Sequence, residues 1–236
     1  MIAIERFFEN HLSNRQISAE ELRQFAEDNL GKLNALPALP AALVALIAPT
    51  KAAFEAFDAA LSARTTLLAG QIGGTITKDE ALQLIRSTVR QREGRIRDKF
   101  AKGSAAYAEF LPQGLGEINK ARTGQITAIL DRLIAAAGKH QTALGPELLA
   151  EFTALKTTYG TAREGQVDAK GDLAQARATL ATTRTALELQ LGQNILATAA
   201  HHLGQPDRAK DYFNQSLLED PDRSQDGPEP VPDPVP

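Results

Sequence analysis

The most regular feature of this chain is a series of positions that recur with helical spacing from Leu148 to Leu187. Steps of four and three residues alternate along the whole series. This spacing keeps every position on one side of an α-helix, where the side chains can pack against other helices. The pattern predicts a long helix from Pro146 to about Gly204. We name the series the long seam, and it consists of Leu148, Phe152, Leu155, Tyr159, Ala162, Gln166, Ala169, Leu173, Ala176, Leu180, Thr183 and Leu187.

Three glycines, Gly160, Gly165 and Gly171, lie between the positions of the long seam. Each glycine costs roughly 1 kcal/mol relative to alanine in the interior of a helix. The sequence therefore leaves two outcomes open for this helix. It either continues and projects beyond its neighbours, or it breaks between residues 160 and 171.

Apolar stripes with a helical period also precede the long seam. Pro49 interrupts the first stripe and is expected to kink or split its helix, because proline lacks a backbone donor and clashes with the preceding turn. Gly73 and Gly74 are expected to end that helix, and Thr77 with Glu80 forms a capping box that would open the next. The three predicted helices span about 41–72, 77–110 and 115–145. Since the connections are short, consecutive helices should be antiparallel neighbours.

Two shorter helices are expected at the start of the sequence. In residues 2–12, Ile4, Phe7, Phe8 and Leu12 share one face of an amphipathic helix. Ser18 and Glu21 then form a capping box, which predicts a second helix to about residue 34.

These elements predict an all-α fold: an elongated, antiparallel up-down helical bundle with one very long helix. Composition agrees, because the 43% of hydrophobic residues are mostly Ala and Leu, and aromatic residues make up only 5%. A small C-terminal helix-turn-helix and a disordered, acidic, Pro-rich tail complete the predicted architecture. The predicted divisions are two short helices in 1–36, the long-helix bundle in 37–189, a helical hairpin in 190–221 and the tail in 222–236.

The predicted hairpin carries a repeat-like spacing of small, aromatic and proline residues at Gly204, Ala209, Phe213, Ser216 and Pro221. This spacing resembles the second half of a tetratricopeptide repeat, although Gln193 replaces the initial Trp of that family. The resemblance covers a single copy and implies a surface that docks another protein. The alternative is a hairpin that folds back on the bundle. The implied partner-binding residues are Leu196, Ala200, Leu203, Ala209, Phe213 and Leu217.

Charge is unevenly distributed around a formal net charge of −3. Residues 220–236 carry five acidic side chains and one basic side chain, so the rest of the chain is close to neutral. Residues 86–102 concentrate seven bases around a narrow apolar stripe, which predicts either a solvated face paired with neighbouring helices or an anion-binding surface. The candidate anion-binding residues are Arg86, Arg90, Arg92, Arg95, Arg97 and Lys99.

Motifs that would indicate catalysis are missing from the sequence. It has no Cys, no nucleophile elbow and no phosphate-binding Gly-rich loop, and its four His residues do not form the Glu-x-x-His pattern of helical metal sites. We therefore expect no enzymatic activity, no cofactor and no metal site. With no secretory signal apparent, a cytoplasmic protein is the expectation.

The favoured interpretation is a scaffold or adaptor that binds another protein, or a second copy of itself, through the long helix and the C-terminal hairpin. One alternative is a membrane-active helical protein that uses the apolar run 33–49, although this run is short and contains three prolines. Another alternative is an anion or nucleic-acid binder that uses residues 86–102. Neither a membrane nor a nucleic acid is the expected partner.

Overall fold

The computed structural model describes residues 9–14 and 16–218. All regular secondary structure in this part of the chain is helical, which confirms the predicted all-α fold. The α-helices are α1 (Ala19–Ala35), α2 (Ala41–Lys99), α3 (Ala105–Phe110), α4 (Leu115–Lys120), α5 (Thr123–Lys139), α6 (Gln141–Leu144) and α7 (Pro146–His201). Two 3-10 helices follow, η1 (Pro206–Asp211) and η2 (Gln215–Leu218).

The first and last predicted elements fall largely on residues that the structure does not describe. The acidic tail, 222–236, lies outside the described residues, as do residues 2–8 of the first predicted helix. Of that helix, residues 9–12 are described, and they form a turn in which the Ser13 amide donates to Asn10 O at 3.1 Å. The second predicted helix is present as α1, and Ser18 and Glu21 form the predicted capping box.

The long seam is confirmed from Leu148 to Leu187 of α7. Every one of its twelve positions is buried or half-buried, whereas nearly all the residues between them are exposed. The helix runs from Pro146 to His201 without a break at Gly160, Gly165 or Gly171. Burial of the seam side chains stabilises the helix by far more than the glycines cost, since one buried Leu or Phe contributes about 1.5–3 kcal/mol.

The prediction that Gly73 and Gly74 end a helix is wrong. Helix α2 continues through both glycines to Lys99. A Cβ atom at Gly74 would lie 3.5 Å from Gln166 Cα, an ordinary van der Waals distance, so α2 and α7 pass close to each other at this glycine. Thr77 accordingly does not cap a new helix, and its hydroxyl donates to Gly73 O at 3.1 Å as in a helix interior. Pro49 does not split α2 either.

Residues 77–99 of the predicted helix 77–110 belong to α2, which ends at Lys99, and the predicted helix 115–145 is divided into α4, α5 and α6. Gly103 has φ +89°, a left-handed conformation that favours glycine, and Ser104 then caps α3 by accepting a bond from the Tyr107 amide. Gly114, with φ +67°, makes a second such turn before α4. Among the described residues, four short helices therefore separate two very long ones, so the predicted succession of four long up-down helices is not formed.

The described chain divides into two compact units, whose borders fall inside α2 and α7. Unit 1 contains the residues up to Thr65 and those from Gln175 onward, and unit 2 contains Thr66–Ala174. These borders differ from the predicted ones at 36/37 and 189/190, which were placed at changes of pattern along the chain. Because both long helices contribute to both units, no linker in the sequence separates one unit from the other.

Unit 2 is built on an antiparallel pairing of the two long helices. The Arg92 guanidinium bonds both carboxylate oxygens of Glu151, at 2.7 and 2.9 Å, and Gln166 Nε2 donates to Thr75 Oγ1 at 3.1 Å. Helices α3 to α6 cover this pair, and their apolar residues form one core with it. The largest fully buried side chains of this core are Ile85, Ile96, Phe110, Leu111, Ile118, Ile126, Leu130, Phe152 and Tyr159.

Unit 1 joins α1, the first part of α2 and the last part of α7. Phe57 of α2 and Leu187 of α7 are buried together with Phe25 of α1. The centre also contains three buried polar side chains, one from each helix: Asn194 Nδ2 donates to Asn29 Oδ1 and to Thr50 Oγ1, each at 2.9 Å. This network satisfies polar groups that would otherwise be costly to bury.

An ionic contact in unit 2 should make stability depend on pH. Lys139 donates to Glu109 at 2.6 Å and His140 lies 2.9 Å from the same carboxylate, and these bonds hold the pKa of Glu109 below its usual value of 4.5. A lowered pKa contributes stability above the unfolded-state pKa, and that contribution disappears as pH falls through the folded-state pKa. We expect Glu109→Gln to lower the melting temperature at pH 7, and the difference from wild type to vanish in acid.

Thermal melts followed by circular dichroism between pH 7 and pH 3 would measure this difference. Glu80→Gln, at an exposed position of α2 in the same unit, is the matched control. A Glu109→Gln deficit that stayed constant down to pH 3 would contradict the role given to the carboxylate.

Candidate docking surface on helix α7

Three large apolar side chains on the outer face of α7 are open to solvent. Leu189 and Leu196 are each 54% exposed, and Leu203, in the turn that follows the last helical residue His201, is 86% exposed. Leu189 and Leu196 are seven residues apart and share one face of the helix, away from the buried Leu187, Leu191 and Asn194, and Leu203 continues the same spacing. Single exposed leucines are common, but a row at this spacing is the pattern of a helix that packs on a second helix. We name these three residues the docking stripe.

A cavity of about 260 Å³ lies at the Leu203 end of the docking stripe, between the end of α7 and η1. Its walls are mostly apolar, and Leu203 belongs to both features. Thr198 also lines the cavity; it is 4% exposed, and its Oγ1 is buried without a hydrogen-bond partner among the described residues. The other lining residues are Ile195, Ala199, His202, Gly204, Gln205, Pro206, Ala209 and Phe213.

The segment after α7 is held against unit 1 by aromatic and polar contacts. The Tyr212 carbonyl accepts a hydrogen bond from Asn29 Nδ2 at 3.0 Å, and Phe213 stacks on Phe25 with ring centres 6.0 Å apart. The Tyr212 hydroxyl lies 3.0 Å from His202 Nε2. Desolvation, followed by the neighbouring His201, lowers the pKa of His202, which favours the neutral ring in this contact. Phe213, which lines the cavity, is therefore held against unit 1.

The predicted second helix of a tetratricopeptide-like hairpin is not formed. After Gly204, with φ +78°, residues 206–211 and 215–218 form two short 3-10 helices. Tyr212, between them, is buried. The region folds back on α1, as in the alternative interpretation of the hairpin, but without its second α-helix.

The six predicted partner-binding residues separate into two groups. Leu196 and Ala200 are exposed on α7, Leu203 is exposed in the turn after it, and Ala209 is exposed at the rim of the cavity. Phe213 and Leu217 are instead partly buried and pack against the core of unit 1. Sequence reasoning missed Leu189 and the cavity, although the seven-residue spacing from Leu189 to Leu203 could have indicated the stripe.

The candidate anion-binding residues of α2 do not act as one set. Arg92 is paired with Glu151, and Arg95 donates to the Leu144 carbonyl beside Glu147. Arg86 is half-buried, with a buried Nε atom. Arg90, Arg95, Arg97 and Lys99 are exposed. Two of the six candidates thus make contacts to α7 or to the residues before it, and four of the six remain at the surface.

The apolar run 33–49 lies in unit 1. Leu33 and Leu43 are buried in one cluster with Tyr212, and Val44 is about half exposed. None of the described helices combines the length and the apolar character that a membrane span requires.

These features define the class of protein as far as the fold does so: an all-α protein in which two very long helices each contribute to two compact units. No protein-family model, curated protein or solved structure matches this chain. Its function is therefore inferred from its own surface.

Proposed function

We propose that this protein is a non-enzymatic helical scaffold or adaptor, and that it binds an amphipathic helix of another protein along the docking stripe. The observation that carries this proposal is the exposed row of Leu189, Leu196 and Leu203 at seven-residue spacing. A partner helix with aliphatic side chains at the same spacing would bury the row, in the helix-in-groove mode of recognition.

The surface around the stripe suits such a partner. Gly192, Ala199 and Ala200 lie between the leucines, and small side chains allow a second helix to approach closely. At one end, the cavity offers space for one large apolar side chain with the Thr198 hydroxyl as a polar contact. Burial of an apolar anchor in such a pocket is the usual source of most binding energy at an interface.

We expect the double substitution Leu196→Asp/Leu203→Asp to weaken partner binding at least tenfold, because it would place two carboxylates in an apolar contact. Partners would be captured from the source cells on immobilised wild-type protein and identified by mass spectrometry. Each would then be purified, and its affinity for wild type and variant measured by calorimetry. Because both leucines are exposed, the variant should keep its fold, and circular dichroism would check this.

The matched control is Ile72→Asp/Leu84→Asp, which changes two comparably exposed apolar residues of α2 in unit 2. It should leave the affinity unchanged. A purified partner that binds wild type and both variants equally well would refute the docking stripe as the binding surface. If wild type alone self-associates in light scattering and the stripe variant does not, the partner is a second copy of the chain.

A further inference from the structure

Another cavity lies in unit 2, in the cleft where α4 and α5 meet. Its volume is about 740 Å³, which falls within the range of roughly 300–1,000 Å³ that small-molecule sites occupy. The residues that line it come from α4, from α5, from the two residues that join these helices, and from Gln113. The cavity at the end of α7 is mostly apolar, whereas this cleft is lined by several charged side chains.

The charged side chains that line the cleft are Lys120, Arg122, Arg132 and Glu117. The Arg132 guanidinium is paired with Glu117, its Nη2 donating to Glu117 Oε2 at 2.8 Å. The carboxylate next to Arg132 in the sequence, Asp131, is paired at 2.6 Å with a lysine of α7. Lys120 and Arg122 are exposed, and neither forms an ion pair with a described residue. Two positive charges at the cleft are therefore left uncompensated.

The surroundings of the cleft add to this positive charge. Unit 2, Thr66–Ala174, contains fifteen Lys and Arg residues and twelve Asp and Glu residues, although the whole chain has a net charge of −3. Gly124, in the first turn of α5, also lines the cleft, at the end of the helix where the backbone dipole favours a negative group. The electrostatics of the cleft thus favour an anionic ligand over a neutral or cationic one.

The paired side chains and a glutamine offer both hydrogen-bond donors and acceptors. Arg132 bonds Glu117 through Nη2, and its Nε lies 3.4 Å from Phe110 O, so the Nη1 donors have no partner among the described residues. The Glu117 carboxylate has further acceptor sites, because two carboxylate oxygens accept about four bonds. Gln125 Oε1 accepts from the Arg122 amide at 2.9 Å, which leaves its side-chain NH₂ as a donor. Adjacent donors and acceptors of this kind suit hydroxyl groups.

The uncompensated charges and the ionic pair lie toward opposite ends of the cleft. Arg122 precedes Arg132 by ten residues, or about 15 Å along a helix. Ala128 and the buried Ile129 line the cleft between them and supply an apolar surface. The cleft therefore suits a ligand with an anionic group at one end and hydroxyl groups at the other.

We propose that this cleft binds a small phosphorylated compound that also carries hydroxyl groups, such as a sugar phosphate or a nucleoside monophosphate. Lys120 and Arg122 bind the phosphate through charge-assisted hydrogen bonds, for which the planar guanidinium is well matched. Arg132, Glu117 and Gln125 bind the hydroxyl groups. The site lies in unit 2 and shares no residue with the docking stripe of unit 1, so it stands or falls separately from the proposed function.

Calorimetric titration of the full chain tests this site with ribose 5-phosphate and AMP as probes. At least one of them should bind with a Kd below about 1 mM. Its unphosphorylated counterpart, ribose or adenosine, should bind at least tenfold more weakly, because it lacks the group that the two free bases recognise. If neither organic phosphate binds, or if each binds no more tightly than its counterpart, the proposal is wrong.

The double substitution Lys120→Ala/Arg122→Ala should weaken binding of the organic phosphate at least tenfold. The matched control is Lys99→Ala/Arg90→Ala, which removes one lysine and one arginine from exposed positions of α2 in the same unit. It should leave the affinity unchanged. Since all four side chains are exposed, both variants should keep their fold, and circular dichroism would check this. An equal loss of affinity in both variants would overturn the cleft as the site and leave only a general attraction of anions to unit 2.

A variant that keeps every charge tests the space of the cleft. A Cβ atom at Gly124 would meet no neighbouring atom within 4 Å, so Gly124→Leu can be accommodated without strain. It should nevertheless weaken the organic phosphate at least tenfold, because its side chain occupies space at the cleft. An unchanged affinity would contradict binding there.

Inorganic phosphate and RNA distinguish the ligand class. Glu117→Gln should weaken binding of the organic phosphate without weakening that of inorganic phosphate, since only the former has hydroxyl groups. Inorganic phosphate that binds as tightly as the organic phosphates would refute recognition of the hydroxyl groups. A single-stranded RNA oligonucleotide that binds more tightly than all of these, and that loses affinity equally in both double variants, would overturn the proposal in favour of an extended nucleic-acid surface.

Discussion

Replacing Phe152 by Ala should lower the free energy of unfolding by about 3–5 kcal/mol. Phe152 is fully buried in the core of unit 2, in the cluster that contains Ile85, Leu130 and Leu133. Its ring is contributed by the long seam, so truncation leaves a cavity between α7 and the short helices that cover it. Loss of apolar burial and the remaining cavity both contribute to the expected cost.

Urea denaturation followed by circular dichroism would measure this change. Leu84→Ala is the matched control, because Leu84 belongs to the same unit but is about half exposed. Its effect should stay within about 0.5 kcal/mol. A loss below about 1 kcal/mol for Phe152→Ala would show that the long seam is not a principal source of stability.

The sequence was sufficient to predict α7 because its information is local and periodic. From Leu148 to Leu187 every seam position lies on the same side of the helix. Single polar residues in the series, such as Gln166 and Thr183, therefore do not disturb the pattern. Burial of the side chains at these twelve positions also stabilises the helix by more than the three glycines destabilise it. The all-α class follows from the same kind of evidence.

The errors in α2 arose from residues whose role depends on a distant neighbour. Gly74 is typical of a local helix stop, but in the structure it lies where α2 passes close to Gln166, about ninety residues away in the sequence. Pairing of this kind is fixed only in the folded protein. Thr75, just after the glycines, accepts a hydrogen bond from Gln166 of α7, so this part of α2 has a partner that the local sequence does not reveal.

The candidate surface was predicted in part, through a resemblance that the fold does not reproduce. Leu196 and Ala200 are exposed on the outer face of α7 and Leu203 in the turn that follows it, whereas the hairpin expected to present them is absent. The cavity forms where residues 206–213 fold back on the end of α7. No periodic signal marks that return, since 3-10 helices this short have no apolar period of their own.

A polar residue continues the seam where the apolar pattern becomes irregular. Beyond Leu187 the sequence suggests Leu191 and then Ile195 as inward positions. In the structure Asn194 is 1% exposed, while Ile195 is more than a third exposed. Hydrophobicity favours Ile195, but Asn194 is buried because Asn29 and Thr50 satisfy its amide.

Asn194→Ala should therefore be destabilising by about 2–4 kcal/mol, although it removes no large apolar group. It leaves the buried Asn29 Oδ1 without its donor at 2.9 Å, and it also removes a bond to Thr50 Oγ1. Each buried polar group that is left without a hydrogen-bond partner costs about 1–3 kcal/mol of stability. Gln193→Ala, at the exposed neighbouring position, should change stability by less than about 0.5 kcal/mol.

A double-mutant cycle separates the network from simple packing. If Asn29 and Asn194 act through each other, Asn29→Ala/Asn194→Ala should cost less than the sum of the two single changes, by about 0.5–3 kcal/mol. Strict additivity would show that the amides do not interact. Because the amides and Thr50 come from three different helices, their bonds form in only one relative alignment of α1, α2 and α7. An apolar core could accept a shift of one helix by a turn, whereas this network penalises it.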